Sequence, residues 1–180
     1  MCGTIEKEFE AMGSHIWIDE VELNMRRKDR EITDKRVIEE FIAKEQILRI
    51  AFYDEGEIYI VPVNYGYLYD ARYSFYFHGA KEGRKYELAK ENPIVGYEID
   101  GNYMLLESEN ACDNTAFFQS IIGTGRLFLV ENNEEKIVGL NSIMKQTTSK
   151  ENWNYSDEMI DAVAVFKLVV EKISCKAKLG

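Results

Sequence analysis

The spacing of apolar positions changes period near residue 46. Before it, Val37, Ile38, Phe41 and Ile42 recur at helical spacing behind Asp34, a good N-cap residue, which predicts a helix over about 35–45. After it, alternation takes over. Ile47 to Tyr53 reads as a strand, Asp54-Glu55-Gly56-Glu57 as a hairpin turn, and Ile58 to Tyr65 as the return strand. Pro62 removes one ladder donor, so that strand is expected at an edge or a bulge. Tyr73 to His78 is a third strand, and a helix over about 82–91 ends at Asn92-Pro93.

Further on, Ile94 to Asp100 and Asn102 to Ser108 read as two strands around Asp100-Gly101-Asn102. Phe117 to Glu131 is a long strand in which Gly123 and Gly125 permit a bend or close approach. Asn132-Asn133 precede a helix of about 134–146 with an inner face of Ile137, Leu140, Ile143 and Met144. A short helix near 156–160 leads to a closing strand from Ala162 to Ile173. These are six or seven antiparallel strands with three or four short helices. A closed barrel would remove the exposed strand edges of such a set, with the helices covering its mouths.

Composition narrows the class. With 180 residues and 46% apolar content, the chain can form one domain with a real core. Twelve per cent aromatics fit β-rich structure. The net charge of −10 argues against general nucleic-acid binding, which needs a cationic footprint. No apolar run approaches the roughly 18 residues that cross a membrane, and no signal-peptide layout opens the chain, so a cytoplasmic protein is expected. Cys2, Cys112 and Cys175 are scattered and only His15 and His78 occur, so neither a disulfide framework nor a metal site is expected. Residues 1–24 hold six acids and one lysine, and then Arg26-Arg27-Lys28 begins a basic cluster. That shift sets off 1–24 as an N-terminal extension and 25–180 as the domain.

The candidate chemistry gathers at Phe77-His78-Gly79-Ala80-Lys81-Glu82-Gly83-Arg84-Lys85. Residues 78–90 carry four cations and two acids in an acidic chain, at a strand-to-helix junction. Such a turn suits an anion, phosphate above all; the plain reading is a solvated polar turn. His78 is either a structural strand end or a donor beside a bound ring or phosphate. A strand irregular at Pro62 offers backbone groups to the edge of a planar heteroaromatic ring, or is simply bent. Arg49 faces either solvent or an anion. Trp17 and Trp153 pack in the core, or as a lid. Ser120 to Arg126 holds two close glycines but no dinucleotide fingerprint, and neither a P-loop nor a nucleophile triad is present.

Several of these stretches occur in an order that resembles one known family. They are Met25 to Ile32, Arg49-Ile50-Ala51, Ile60 to Gly66, Tyr76 to Lys85, Asn92-Pro93 and Ile121 to Arg126. Together they resemble the pyridoxamine 5′-phosphate oxidase-like flavoproteins, in particular the nitroimidazole-resistance branch, over about 25–175. The resemblance implies an antiparallel split β-barrel and a homodimer with FMN at the subunit interface. It implies the FMN phosphate at the 78–85 turn, the isoalloxazine edge along Val61 to Asn64, and His78 near the flavin. The cofactor-binding set it implies is Arg49, Val61, Pro62, Val63, Asn64, His78, Ala80, Lys81, Gly83, Arg84, Lys85, Ser120, Ile122 and Trp153, with His78 also the candidate catalytic residue. The implied activity is reduction of a small organic acceptor such as a nitroaromatic. The alternative is a flavin- or haem-binding protein without turnover. The chain lacks the C-terminal Arg/His pattern expected of a true pyridoxamine phosphate oxidase.

Overall fold

The computed structural model describes residues 25–91 and 93–179. The expected extension 1–24, with His15 and Trp17, lies outside them, as does Asn92. A 3-10 turn, Lys28–Arg30, leads into β1 (Glu31–Ile32), α1 (Lys35–Lys44), β2 (Ile47–Asp54), β3 (Glu57–Asn64), β4 (Gly66–Asp70) and β5 (Arg72–Gly79), and a second, Ala111–Asp113, lies further on. Then follow α2 (Arg84–Ala89), β6 (Ile94–Leu106), β7 (Thr115–Val130), α3 (Asn133–Thr148), α4 (Asp157–Ala162) and β8 (Ala164–Lys178). No described helix is long and apolar enough to cross a membrane.

Local chemistry accounts for most element ends. The Asp34 carboxylate accepts from the Arg36 N–H at 2.9 Å and caps α1. Asn132 does the same for α3 through the Glu135 N–H at 3.0 Å. Glu55 and Gly56 both adopt left-handed backbone, the requirement of a tight two-residue hairpin turn between β2 and β3. The apolar stripe of α1 buries Phe41 and Ile42 against the sheet, as its spacing predicts.

The strands form one antiparallel sheet in the order β3-β2-β6-β7-β8-β5-β4, with β1 added to β8. The core lies inside its curl, around Leu48, Ile50, Phe52, Phe75, Phe77 and Phe166. This is a mainly β split barrel, and it corrects the expectation of closure: β3 and β4 end the path and do not pair. The chain passes from β3 to β4 through one buried residue, Tyr65, whose hydroxyl donates to the Ile42 carbonyl at the end of α1 at 2.6 Å. Beyond that corner, Gly66 lies against α3 so closely that a Cβ would stand 2.1 Å from the Ser142 carbonyl carbon. Helix α3 therefore packs directly on one face of β4.

Three further differences have local causes. β4 is an additional strand, its short Tyr-rich run being hidden between two turns. Residues 94–106 are one strand, because both halves pair with the long β7 instead of with each other; left-handed Asn102 is absorbed as a bulge between Gly101 and Met104. On α3 the buried face runs through Lys136, Gly139, Leu140, Ser142 and Ile143, leaving Ile137 and Met144 half-buried. Small residues set that face because the helix backbone approaches the sheet, with a Gly139 Cβ falling 2.7 Å from the Tyr76 ring. Pro62 does lie on an edge strand, in an unbroken β2–β3 ladder.

Gly66→Ala should lose about 1–3 kcal/mol of stability, the usual cost of overpacking, because backbone on both sides must shift. Urea denaturation checks this; an unchanged midpoint would mean α3 does not press on β4.

Candidate functional site

The expected site residues fall into two groups on the fold. The first surrounds the end of β5. His78 stands opposite Val165 of β8, on the strand face shared with Ser74 and Tyr76. That face is covered by α3 at Tyr76, whose hydroxyl donates to the Glu135 carboxylate at 3.3 Å beside Lys167. His78 itself reaches the surface at the strand end. Partial desolvation, then the nearby Lys85 charge, hold its pKa below the ordinary histidine value.

Ala80 and Lys81 follow in exposed loop, and Gly83 takes a left-handed φ of 92° before α2. Helix α2 has only six residues, fewer than expected, and the N–H groups of Tyr86 and Glu87 already donate to the Gly83 carbonyl. The dipole of so short a helix is small, so side-chain charge would be the larger attraction for an anion here.

Those side chains differ sharply. The half-buried Lys85 extends over the rings of Phe77 and Phe166, with Nζ at 5.5 and 5.1 Å from their centroids. Burial alone moves its pKa, downward; no described carboxylate compensates it. Its ammonium rests over Gly79, where a Cβ would come within 2.9 Å of Nζ. Arg84 points instead to the β2–β3 hairpin, donating to Asp54 at 2.7 Å and Glu57 at 3.1 Å.

The second group lies on the outer face of the sheet. Pairing places Pro62, Arg49, Glu98, Ile122 and Ser174 in one lateral row across β3, β2, β6, β7 and β8. Ser120 stands in the next outward row, between Asp100 and Lys176. Arg49 donates to Glu98 at 2.9 Å and also binds Asp100. Partial burial raises the Glu98 pKa, while the Arg49 contact pulls the other way. Along β3, Val61 and Val63 turn toward the core, while Pro62 and Asn64 face outward. Asn64 donates to the Gln46 carbonyl at 3.1 Å. Since among the described residues β3 pairs only with β2, its far edge presents backbone groups that a planar ligand could use.

The groups are not merged. Arg49 lies five residues from Asp54 along β2, about 16 Å at strand spacing. Trp153 is tied to its own loop: its indole N–H donates to the Lys150 carbonyl at 3.3 Å and its backbone N–H to Asn141 at 3.3 Å. Sequence reasoning missed the acids that hold the two arginines. Register could have found Glu98, which directly opposes Arg49. Nothing local pointed to Asp54 and Glu57, which lie 30 and 27 residues from Arg84. No described cluster of His, Cys, Asp and Glu could hold a metal ion.

An open antiparallel split barrel with a few short helices defines a class of small, mainly β proteins. The sequence matches the pyridoxamine 5′-phosphate oxidase family over residues 34–177. Comparison with curated proteins finds no match. Among solved structures, a candidate 5-nitroimidazole antibiotic resistance protein from Bacteroides thetaiotaomicron VPI-5482 is 30% identical, with a TM-score of 0.71 over 82% of this chain and 86% of that one. A FAD- and haem-binding protein from Mycobacterium smegmatis shares the fold at 12% identity, with a TM-score of 0.73 over 84% and 74%. A flavocytochrome from Azotobacter vinelandii shares it at 18%, with a TM-score of 0.69 over 87% and 72%. The chain belongs to the pyridoxamine 5′-phosphate oxidase-like family, in its nitroimidazole-resistance-like branch.

His78 sets a pH dependence of stability. Its folded pKa lies below the unfolded value of about 6.5, so on acidification the unfolded chain takes the proton first. Stability present above that pH is lost as pH falls through it. His78→Gln should flatten this part of the curve between about pH 7.5 and 5.5, read by urea midpoints. Parallel curves for the two proteins would show that the histidine is not desolvated.

Proposed function

We propose that this protein binds FMN as a homodimer and acts as an oxidoreductase on a small organic acceptor such as a nitroaromatic. One observation carries the reading: Lys85 is a half-buried cation with no described carboxylate partner, set at a strand end beside His78. Leaving such a charge uncompensated is costly, and a phosphate dianion compensates it. Gly79 fits this use, since a side chain there would meet the Lys85 ammonium. The kinship with a candidate nitroimidazole-resistance protein supports the acceptor class.

In this reading Lys85, with Lys81 and the loop backbone from Ala80 to Gly83, receives the phosphate. The free edge of β3 around Val61 to Asn64 orients the ring. Arg49, Ser120, Ile122 and Trp153 belong to the wider cofactor-binding set. FMN supplies the electron chemistry, transferring a hydride or single electrons. His78, neutral at pH 7 because its pKa is lowered, can donate or accept one hydrogen bond at the ring and holds a proton only in acid. A second copy finds support in Ile60, Pro62 and Ile122, which lie uncovered on the outer sheet face around Arg49. A cytoplasmic setting belongs to the same reading. For haem the footing is poorer: His78 is the one described histidine, and it stands beside a cation.

Equilibrium dialysis should show FMN binding at micromolar concentration, and the complex should bleach when a reduced nicotinamide or dithionite is added with no acceptor, then recover on adding a nitroimidazole. Absence of FMN binding removes the cofactor assignment. Bleaching without recovery leaves a flavin carrier and removes the reductase. Light scattering should give twice the mass of one chain; a flavin-loaded monomer removes the dimer.

A further inference from the structure

The β6–β7 hairpin runs on past the strands beside it. β2 pairs with β6 from Gly96 to Glu98, and the end of α1 meets β6 at Asn102, which accepts a hydrogen bond from Lys44. Beyond the bulge there, Met104 to Leu106 pair with β7 alone among the described strands. Tyr103, Met104, Leu105 and Leu106 are large, apolar and all exposed, Tyr103 at 73% and Leu106 at 59%. Side chains along a strand alternate between its two faces, so a run exposed at every position is covered on neither. A contiguous apolar run beside a free strand edge marks a docking surface.

Cations lie against the same half of the hairpin. Lys178 Nζ stands 5.8 Å from the centre of the Phe117 ring and donates to the Thr115 hydroxyl at 3.4 Å. Lys176 Nζ stands 5.7 Å from the Phe118 ring, and the Arg30 guanidinium 6.0 Å from it. Neither lysine has an acid partner among the described residues, and Arg30 meets Asp29 only at 4.0 Å.

We propose that residues 16–23 of the same chain dock on this half of the hairpin, with their apolar side chains on Tyr103 to Leu106 and their acids toward Lys176, Lys178 and Arg30. Composition fits: Ile16, Trp17, Ile18, Val21 and Leu23 alternate irregularly with Asp19, Glu20 and Glu22, and no cation interrupts them. Position fits as well. The described chain starts at Met25, and β1 pairs antiparallel with β8 at Lys176 and Cys175. Followed back toward its start, the chain therefore heads for the Lys178 end of β8, and the contact of Arg30 with Phe118 agrees with that direction. From β1 across β8 and β7 to β6 is three strand spacings, about 14 Å. Seven extended residues, 18–24, cover about 23 Å. A second copy suits the surface less well. A two-fold contact of this face with itself would set the three cations against their counterparts, whereas the segment brings acids.

The test follows Trp17 in the full-length chain. It is one of two tryptophans, so each protein measured against its own Trp17→Phe counterpart isolates its emission. In wild type that emission should lie at shorter wavelength than in the urea-unfolded chain, and acrylamide should quench it several-fold less. Tyr103→Ser/Leu106→Ser replaces exposed side chains and leaves the core intact; Lys176→Gln/Lys178→Gln removes the two charges. Each should raise the quenching of Trp17 several-fold, with circular dichroism showing the sheet retained. Trp17 emission in wild type equal to that of the unfolded chain overturns the proposal. So does a Trp17 that stays sheltered in either folded variant, since the segment then rests elsewhere. Sheltering that disappears on dilution together with a dimer mass in light scattering also overturns it, because the segment then lies on a partner copy.

Discussion

The architecture turns on the corner at Tyr65. This one residue separates two strands that lie at opposite ends of the sheet path. Its ring is fully buried, edge-on to Phe75 at 5.5 Å, and its hydroxyl is held by the last turn of α1. A buried phenol must keep a hydrogen-bond partner, so α1 and the corner hold each other in place. Gln146 of α3 reinforces the joint by donating to the Ile42, Ala43 and Glu45 carbonyls, groups that a helix end otherwise leaves open. The corner carries the chain from one end of the sheet path to the other, so among the described residues β3 and β4 are the two edges of an open barrel.

Charge pairing then decides which cations remain available. Acids exceed bases by ten in this chain, so carboxylate partners are plentiful for its lysines and arginines. Arg49, Arg84 and Lys167 each take one. Lys85 does not, because its stem crosses the aromatic end of the core, where no acid is seated. In such a protein an uncompensated, half-buried ammonium is a stronger indication of an anion than a count of nearby basic residues.

Much of the fold was legible in the sequence. The β2–β3 hairpin, the caps of α1 and α3, and the alternating run of β5 are set by residues within a few positions of one another, and local chemistry does not change with the rest of the chain. The same holds for the strand-to-helix junction between His78 and Lys85, which lies where the local pattern places it. Kinship added the family.

What remained illegible depends on pairing between distant segments. Asp100-Gly101-Asn102 has the composition of a hairpin turn, but β7 is long enough to pair with both flanks, and the competition is won by the longer ladder. Arg84 and Lys85 look equivalent in sequence; one is taken by acids about 30 residues away and the other is not. By itself, then, the sequence determined most element types, the α1 and α3 caps and the apolar face of α1, since all rest on short-range periodicity and residue chemistry. The tertiary structure alone decided that the barrel stays open and that Arg84 rather than Lys85 takes carboxylate partners, because both depend on which remote backbone and which remote carboxylate arrive at the same point in space.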